Sequence, residues 1–86
     1  MSESRFELIR ATLRPPVHML AITFGDVRPS KAQFDREFPT LEAAYAGFRE
    51  RVPFGRWTVW LKGAGGQAIG VDSQLWEKAM GKPVKG

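Results

Sequence analysis

Apolar and polar residues alternate most regularly along Arg56-Trp57-Thr58-Val59-Trp60-Leu61-Lys62, and a shorter alternation follows at 67–71. Alternation with a period of two predicts strands, because successive side chains of a strand point to opposite faces of a sheet. Gly63-Ala64-Gly65-Gly66 lies between the two runs and supplies turn residues. The pattern therefore predicts a β-hairpin.

The register of this hairpin follows from keeping apolar residues on one side. A two-residue loop at Gly65-Gly66 would place Lys62 opposite Ile69. A three-residue loop, Ala64-Gly65-Gly66 with a glycine in the left-handed region, keeps the apolar residues together and is preferred. The cross-strand pairs that this loop predicts are Leu61 with Ile69 and Val59 with Val71.

The two tryptophans of the hairpin then have different expected positions. Trp57 shares the apolar face with Val59 and Leu61, so we expect it in the core. Trp60 lies on the other face, opposite Gly70, where no side chain competes for its space. The residues that share this second face are Arg56, Thr58, Trp60 and Lys62.

Residues 5–13 admit two interpretations. Phe6, Ile9 and Leu13 recur at helical spacing, and Ser4-x-x-Glu7 has the spacing of a helix capping box. The alternation of apolar and polar residues up to Leu13 also fits a half-buried strand. We prefer the strand.

Two strands are predicted between residues 17 and 38. The first, Val17 to Phe24, is expected to place Leu20, Ile22 and Phe24 on one face, together with His18. The second, Lys31 to Phe38, alternates as well, and turn residues separate the two. A hairpin over residues 17–38 follows.

Helical periodicity predicts a main helix over about 41–51, between two prolines and with Thr40 as its N-cap. A short helix is expected at about 73–80, capped by Asp72 or Ser73, followed by a frayed tail at 82–86. The predicted fold class is α+β, a single small domain over residues 1–86. In this fold an antiparallel sheet of four or five strands carries the main helix on one face.

Composition and charge narrow the expected setting. The chain has 86 residues, a net charge of +4 and no cysteine, which excludes disulfides and thiolate metal sites. No apolar run approaches the ~18 residues of a membrane helix, and the N-terminus lacks the features of a signal peptide. A cytoplasmic location without membrane association is expected, and the positive charge favours acidic partners.

The candidate motifs for chemistry are weak. Gly63-Ala64-Gly65-Gly66-Gln67-Ala68 matches the glycine spacing of a dinucleotide fingerprint, but it leads into a predicted strand and is interpreted as a turn. His18 is the only histidine, which is too few for a metal site, and Asp35 and Glu37 are expected on an exposed strand face. No nucleophile signature is present, so we expect neither an enzyme nor a cofactor.

A partner-binding face is the remaining candidate, formed by Arg56, Thr58, Trp60 and Lys62. Tryptophan and arginine are frequent hot spots of protein interfaces, and aromatic residues among basic ones also suit nucleic acid. Alternatively, Trp60 packs under a neighbouring element, such as the C-terminal helix with Trp76.

Phe38-Pro39-Thr40-Leu41-Glu42-Ala43-Ala44 resembles the F-x-T-x-x-E-A strand-to-helix junction of the arm-type DNA-binding domains of phage integrases. In that family a G-x-W strand precedes the helix, whereas here Gly55-Arg56-Trp57 follows it, and no binding residues are carried over. In size and element mix the chain also looks like the small proteins of phages and mobile elements, some of which are anti-CRISPR inhibitors.

The function expected from the sequence is that of a small, non-enzymatic binding protein. It would occlude a protein or nucleoprotein complex, such as a nucleic-acid-handling complex inhibited by a phage or mobile-element protein. The alternative is a domain that binds nucleic acid directly through the basic face that carries Trp60.

Overall fold

Three helices and four strands make up the part of the chain that this computed structural model describes, which is residues 2–25 and 27–80, with side chains at 7–25 and 27–78. In chain order they are α1 (Ser2–Thr12), β1 (Val17–Thr23), β2 (Arg36–Phe38), α2 (Leu41–Arg51), β3 (Thr58–Lys62), β4 (Ala68–Asp72) and α3 (Ser73–Met80). The strands form one antiparallel sheet in the order β2-β1-β3-β4. The predicted α+β class is confirmed, and the tail predicted at 82–86 lies outside the described residues.

The first element is a helix, so the strand preferred for residues 5–13 is wrong. At its end the Leu13 amide donates to the Ile9 carbonyl at 2.8 Å. Leu13 is fully buried and Ile9 packs against the core, whereas Ala11 is exposed. The buried positions therefore follow helical spacing, as expected of a helix with one apolar side. This helix packs against α3 and does not join the sheet. The sheet accordingly has four strands.

Helix α2 has the predicted bounds, Leu41–Arg51. The Thr40 hydroxyl accepts a hydrogen bond from the Ala43 amide at 3.0 Å, as expected of an N-cap. The helix buries Leu41, Ala44 and Phe48 against the sheet. An N-cap and one apolar stripe thus account for both the start and the orientation of α2.

The β3–β4 hairpin has the predicted register. Leu61 pairs with Ile69, and Trp60 lies opposite Gly70. Gly66 has a φ of +87°, and its amide donates to the Gly63 carbonyl at 2.9 Å, which closes the predicted turn. Keeping apolar residues on one face was therefore sufficient to identify the register.

Strand β1 is less regular than predicted, because its pairing with β3 contains a bulge at Leu20. Met19 pairs with Leu61, but Ala21 pairs with Trp60, which leaves Leu20 as an extra residue. Cross-strand partners lie on the same face of a sheet. His18 pairs with Lys62, whereas Ile22 pairs with the buried Val59. Since Lys62 and Val59 lie on opposite faces of β3, His18 and Ile22 do so as well. The common face predicted for residues 18, 20, 22 and 24 is therefore wrong.

Strand β2 is shorter than predicted, covering Arg36–Phe38 instead of 31–38, although the hairpin with β1 is confirmed. Before β2, the amides of Gln33 and Phe34 both donate to the carbonyl of Leu20, at 2.9 and 3.0 Å. The bulge residue thus finds its partners in this irregular segment, which explains why a ladder does not extend over the whole of 31–38.

All three helices cover one face of the sheet, which we call the helix face. Its core contains Leu13 at the end of α1, Phe48 of α2 and Trp76 of α3, each fully buried, against Val59 and Leu61 of β3. We call the opposite side the Trp60 face. No helix among the described residues is long and apolar enough to cross a membrane.

Candidate functional site

Three of the residues proposed for partner binding share the Trp60 face. Thr58, Trp60 and Lys62 alternate along β3 with the buried Val59 and Leu61. The fourth, Arg56, precedes the strand and lies at the end of the sheet. The structure therefore spreads the predicted set along one strand, with Arg56 and Lys62 at opposite ends.

Trp60 is held firmly within the protein. Its indole Nε1 donates to the Thr23 hydroxyl at 2.9 Å, and the Arg28 guanidinium carbon lies 5.6 Å from its ring centroid. A Cβ built on Gly70 would lie 3.1 Å from Cη2 and Cζ3 of the same ring. Trp60 is therefore half-buried between its neighbours and has a structural role in packing this face.

The alternative that Trp60 packs with Trp76 is wrong. Trp76 is fully buried on the helix face, where its ring stacks on Phe48 at a centroid distance of 6.0 Å and contacts Tyr45 edge-on. Trp60 points to the opposite side of the sheet, because it alternates along β3 with Val59 and Leu61, which are buried on the helix face. The covering group is instead Arg28.

Arg56 and Asp72 form an ion pair at the end of the sheet. Arg56 Nη2 lies 2.7 Å from Asp72 Oδ2, and the side chains are 65% and 39% exposed. Asp72 Oδ1 also accepts from the Gln74 amide at 2.9 Å, so Asp72 caps α3 as one of the two predicted N-cap candidates. The Asp72 carboxylate, fixed by the helix terminus, thereby orients the arginine.

The same end of the sheet contains a cleft of about 380 Å³, which we call the aromatic cleft. It is lined by Phe24, Gly25, Arg56, Trp57, Thr58 and Asp72. Phe24 meets Trp57 edge-on, with ring centroids 5.6 Å apart, yet Phe24 itself is 72% exposed. An aromatic pair and an arginine therefore line the same opening.

Phe54 is a second exposed aromatic residue, and its backbone contacts Trp57 of the cleft. It is 72% exposed, and its carbonyl accepts from the Trp57 indole Nε1 at 3.2 Å. Trp57 is only half-buried, although it packs against the core as predicted. Clusters of solvent-exposed aromatic residues often mark sites of protein–protein interaction.

Sequence reasoning missed the aromatic cleft. It placed Phe24 on a regular strand face and Trp57 only in the core. A usable signal was present in Phe24-Gly25 and in Pro53-Phe54-Gly55, where an aromatic residue adjoins turn residues on which a strand or helix ends. Aromatic residues at the ends of strands or helices can form an exposed cluster where the loops that follow lie at the same end of the sheet.

His18 and the acidic pair at Asp35 and Glu37 form a small polar group on the Trp60 face. His18 Nδ1 lies 2.9 Å from Asp35 Oδ1, and Glu37 pairs with His18 across the strands. Both carboxylates are exposed, as predicted. Within residues 2–25 and 27–80, no group of three or more metal-ligating side chains occurs. The glycine-rich loop leads into strand β4, which fits a turn and not a dinucleotide fingerprint.

Compared with protein-family models, with curated proteins and with solved structures, the chain shows no significant match. The likeness of residues 38–44 to phage integrase domains therefore stays a resemblance of one short segment. The surface of the protein is consequently the remaining guide to its function.

Proposed function

We propose that this chain is a non-enzymatic binding protein that occludes a surface of a macromolecular partner through the aromatic cleft and the residues around it. The observation that carries the proposal is the 72% exposure of Phe24 in one cleft with Arg56 and the half-buried Trp57. Phe54, also 72% exposed, lies in the segment that leads to this cleft. Aromatic residues and arginine dominate the binding energy of protein interfaces when a partner excludes water from them.

The proposed site differs from the predicted face in which residues provide the contact. Arg56 and Thr58 line the aromatic cleft, whereas Trp60 is occupied by Thr23 and Arg28. A ring that already makes these contacts has little free surface for stacking on a base or a partner side chain. The proposal therefore gives Trp60 a supporting position and gives Phe24 and Phe54 the anchoring role.

The favoured partner is a protein or nucleoprotein complex with an acidic surface. The net charge of +4 would accelerate encounter with such a surface. The Arg56–Asp72 pair supplies a charged group at the rim of an otherwise aromatic opening, which suits a mixed interface with an apolar centre. Inhibition by occlusion of a nucleic-acid-handling complex, as phage and mobile-element proteins perform it, fits this chemistry.

The test begins with affinity purification from the native host followed by mass spectrometry, with and without nuclease. Binding of the purified partner is then measured for Phe24→Ala, Phe54→Ala and Arg56→Glu. Each is expected to weaken binding about tenfold or more, the size of a hot-spot residue. Leu8→Ala is the matched control, since Leu8 is 70% exposed on α1 and away from the aromatic cleft.

Unchanged affinity in all three cleft variants would refute the proposed surface. Trp60→Ala separates the two candidate faces. It is expected to reduce stability more than affinity, so binding is compared at a temperature where the variant is fully folded. A large loss of affinity in the folded Trp60→Ala protein, with intact binding in the cleft variants, would instead support the predicted face of Arg56, Thr58, Trp60 and Lys62.

Direct nucleic-acid binding is the competing outcome of the same experiment. A partner lost on nuclease treatment would point to it, and the affinity for oligonucleotides should then fall steeply with salt, because phosphate contacts release counterions. An oligonucleotide shift that is absent at low salt, together with a nuclease-resistant protein partner, would support the proposal over this alternative.

A further inference from the structure

We propose that the outer edge of β4 pairs with β4 of a second copy of this chain, forming a continuous sheet across a two-fold axis. Strand β4 is an edge strand in the order β2-β1-β3-β4, and no described residue pairs with its outer side. Edge strands expose unpaired backbone N–H and C=O groups that can extend a sheet. This inference is independent of the partner proposed for the aromatic cleft.

The two edges of the sheet differ in how they are protected. Strand β2 has three residues, two of which are the charged Arg36 and Glu37, and Pro39 follows it directly. Short length, charge and proline are the usual means of blocking edge-to-edge pairing. Strand β4 has five residues, Ala68–Asp72, with no proline and one charged residue, Asp72. Among the described residues, the β4 edge is therefore the less protected of the two and the one open to addition of a strand.

Self-pairing is favoured because β4 is complementary to itself when two copies run antiparallel around Gly70. Full overlap of the two strands then sets Ile69 opposite the partner's Val71, so apolar residues meet on the helix face. On the other face, Ala68 lies opposite the partner's Asp72. No like charges face each other in this register, and full pairing of all five residues is achieved.

A groove beside α3 gives the second copy room. It has a volume of about 390 Å³ and is lined by Asp72, Gln74, Leu75, Glu77 and Lys78. In the proposed register the partner's Ala68 lies opposite Asp72, and the partner's glycine-rich turn lies just beyond this pair. The turn would therefore be placed alongside the start of α3. The exposed Gly65 and Gly66 of the turn carry no side chains that could clash there.

The experiment measures the monomer–dimer equilibrium of the full chain by sedimentation velocity over a range of concentrations. The wild-type protein is expected to show a concentration-dependent dimer, weak because a single strand pair buries little area. Ala68→Glu would create two symmetry-related like-charge pairs with Asp72 and should raise the dimer dissociation constant about twofold or more. Ala68→Lys should lower it by a similar factor.

This pair of variants distinguishes dimerisation from folding, because the effect on the fold has the opposite sign. Ala68 lies opposite Lys62 within its own hairpin, so glutamate there should favour the monomer fold and lysine should disfavour it. Ala46→Glu is the matched control, since it adds the same charge at an exposed position of α2, which packs on β1 and β2. It should change the dimer little.

Two results would overturn the proposal. One is a full chain that stays monomeric at the highest soluble concentration. The other is a dimer that Ala68→Glu and Ala68→Lys weaken alike, because added charge at the edge would then act without the proposed register.

Discussion

At the scale of single residues, Arg49 connects α2, the loop after it and α3. Its Nη1 donates to the carbonyls of Val52 and Gly55 at 3.1 and 3.2 Å, and its Nη2 pairs with the Glu77 carboxylate. Its guanidinium carbon lies 4.6 Å from the Phe48 ring centroid. The two charged side chains are only 14% and 13% exposed, so each depends on the other for solvation.

Replacing Arg49 should therefore cost far more stability than replacing an exposed arginine. Arg49→Ala leaves Glu77 charged and shielded from water, so we expect a loss of about 3–5 kcal/mol in the free energy of unfolding. Arg49→Lys should recover only part of it, because one ammonium cannot span both carbonyls and the carboxylate. The measurement is urea denaturation followed by circular dichroism.

Arg10→Ala provides the comparison. Arg10 also forms an ion pair, with Glu42 at 3.3 Å, but the two side chains are 49% and 57% exposed. Its loss should cost at most about 1 kcal/mol, as is usual for exposed pairs. Equal shifts of the urea midpoint for Arg10→Ala and Arg49→Ala would show that the Arg49 network carries no special weight.

At the scale of elements, the end of α1 and the β3–β4 turn touch through a glycine. A Cβ on Gly63 would lie 2.8 Å from both the Arg14 amide nitrogen and the Leu13 Cα, and next to it the Ala64 amide donates to the Arg14 carbonyl at 2.8 Å. Because these neighbours are backbone atoms, they can yield only by shifting α1 relative to the hairpin.

Gly63→Ala is therefore expected to destabilise the protein by about 1–3 kcal/mol, the usual cost of overpacking. Gly65→Ala, two positions along the same turn, is the control. A Cβ there would meet nothing within 4 Å, and Gly65 is not among the glycines with positive φ. Thermal unfolding of the two variants checks this, and an equal change in melting temperature would contradict the close approach at Gly63.

The elements that the sequence predicted well are those whose signals are local. Thr40 as N-cap and one apolar stripe sufficed for α2, and the apolar face around Val59 and Leu61 sufficed for the register of the β3–β4 hairpin. The segment 5–13 was mispredicted because alternation and helical spacing coexist in it, and its packing against α3 decides between them.

The candidate site was predicted only in part, for a related reason. Thr58 and Lys62 lie on the face that alternation assigned to them, and Trp60 faces Gly70 as expected. What the sequence could not provide was the contact between Phe24 and Trp57, which are 33 residues apart. Alternation assigned the two rings to separate strands without indicating that they meet, so their contact depends on tertiary structure.

At the scale of the whole molecule, the sheet is covered unequally on its two sides. The helix face carries the three helices and the buried core cluster, whereas the segment 27–35 is mostly exposed. Its contacts include the Arg28 guanidinium over Trp60, the Gln33 side chain, whose Oε1 accepts from the Ile22 amide at 3.1 Å, and Phe34, which packs against the core. Segments with few buried contacts open before the rest of a fold.

Native-state hydrogen exchange should show this order of opening. The amides of Gln33 and Phe34 are expected to exchange at a lower opening free energy than those of Val59 and Leu61 in the central strand β3. Gln33→Ala should further accelerate exchange at Ile22, whereas Gln67→Ala, a change of the same type in an exposed loop, should not. Uniform protection across all these amides would mean that the segment opens only with the whole protein.

The bulge at Leu20 has a consequence for changes in the length of β1. Without Leu20, Met19 would be followed directly by Ala21 and Ile22, whose present partners are consecutive residues of β3. Deleting Leu20 would therefore leave a regular ladder, with every remaining side chain of β1 on its present face. What the deletion would remove is the carbonyl that receives the Gln33 and Phe34 amides, so the segment before β2, and not the pairing of β1 with β3, depends on the extra residue.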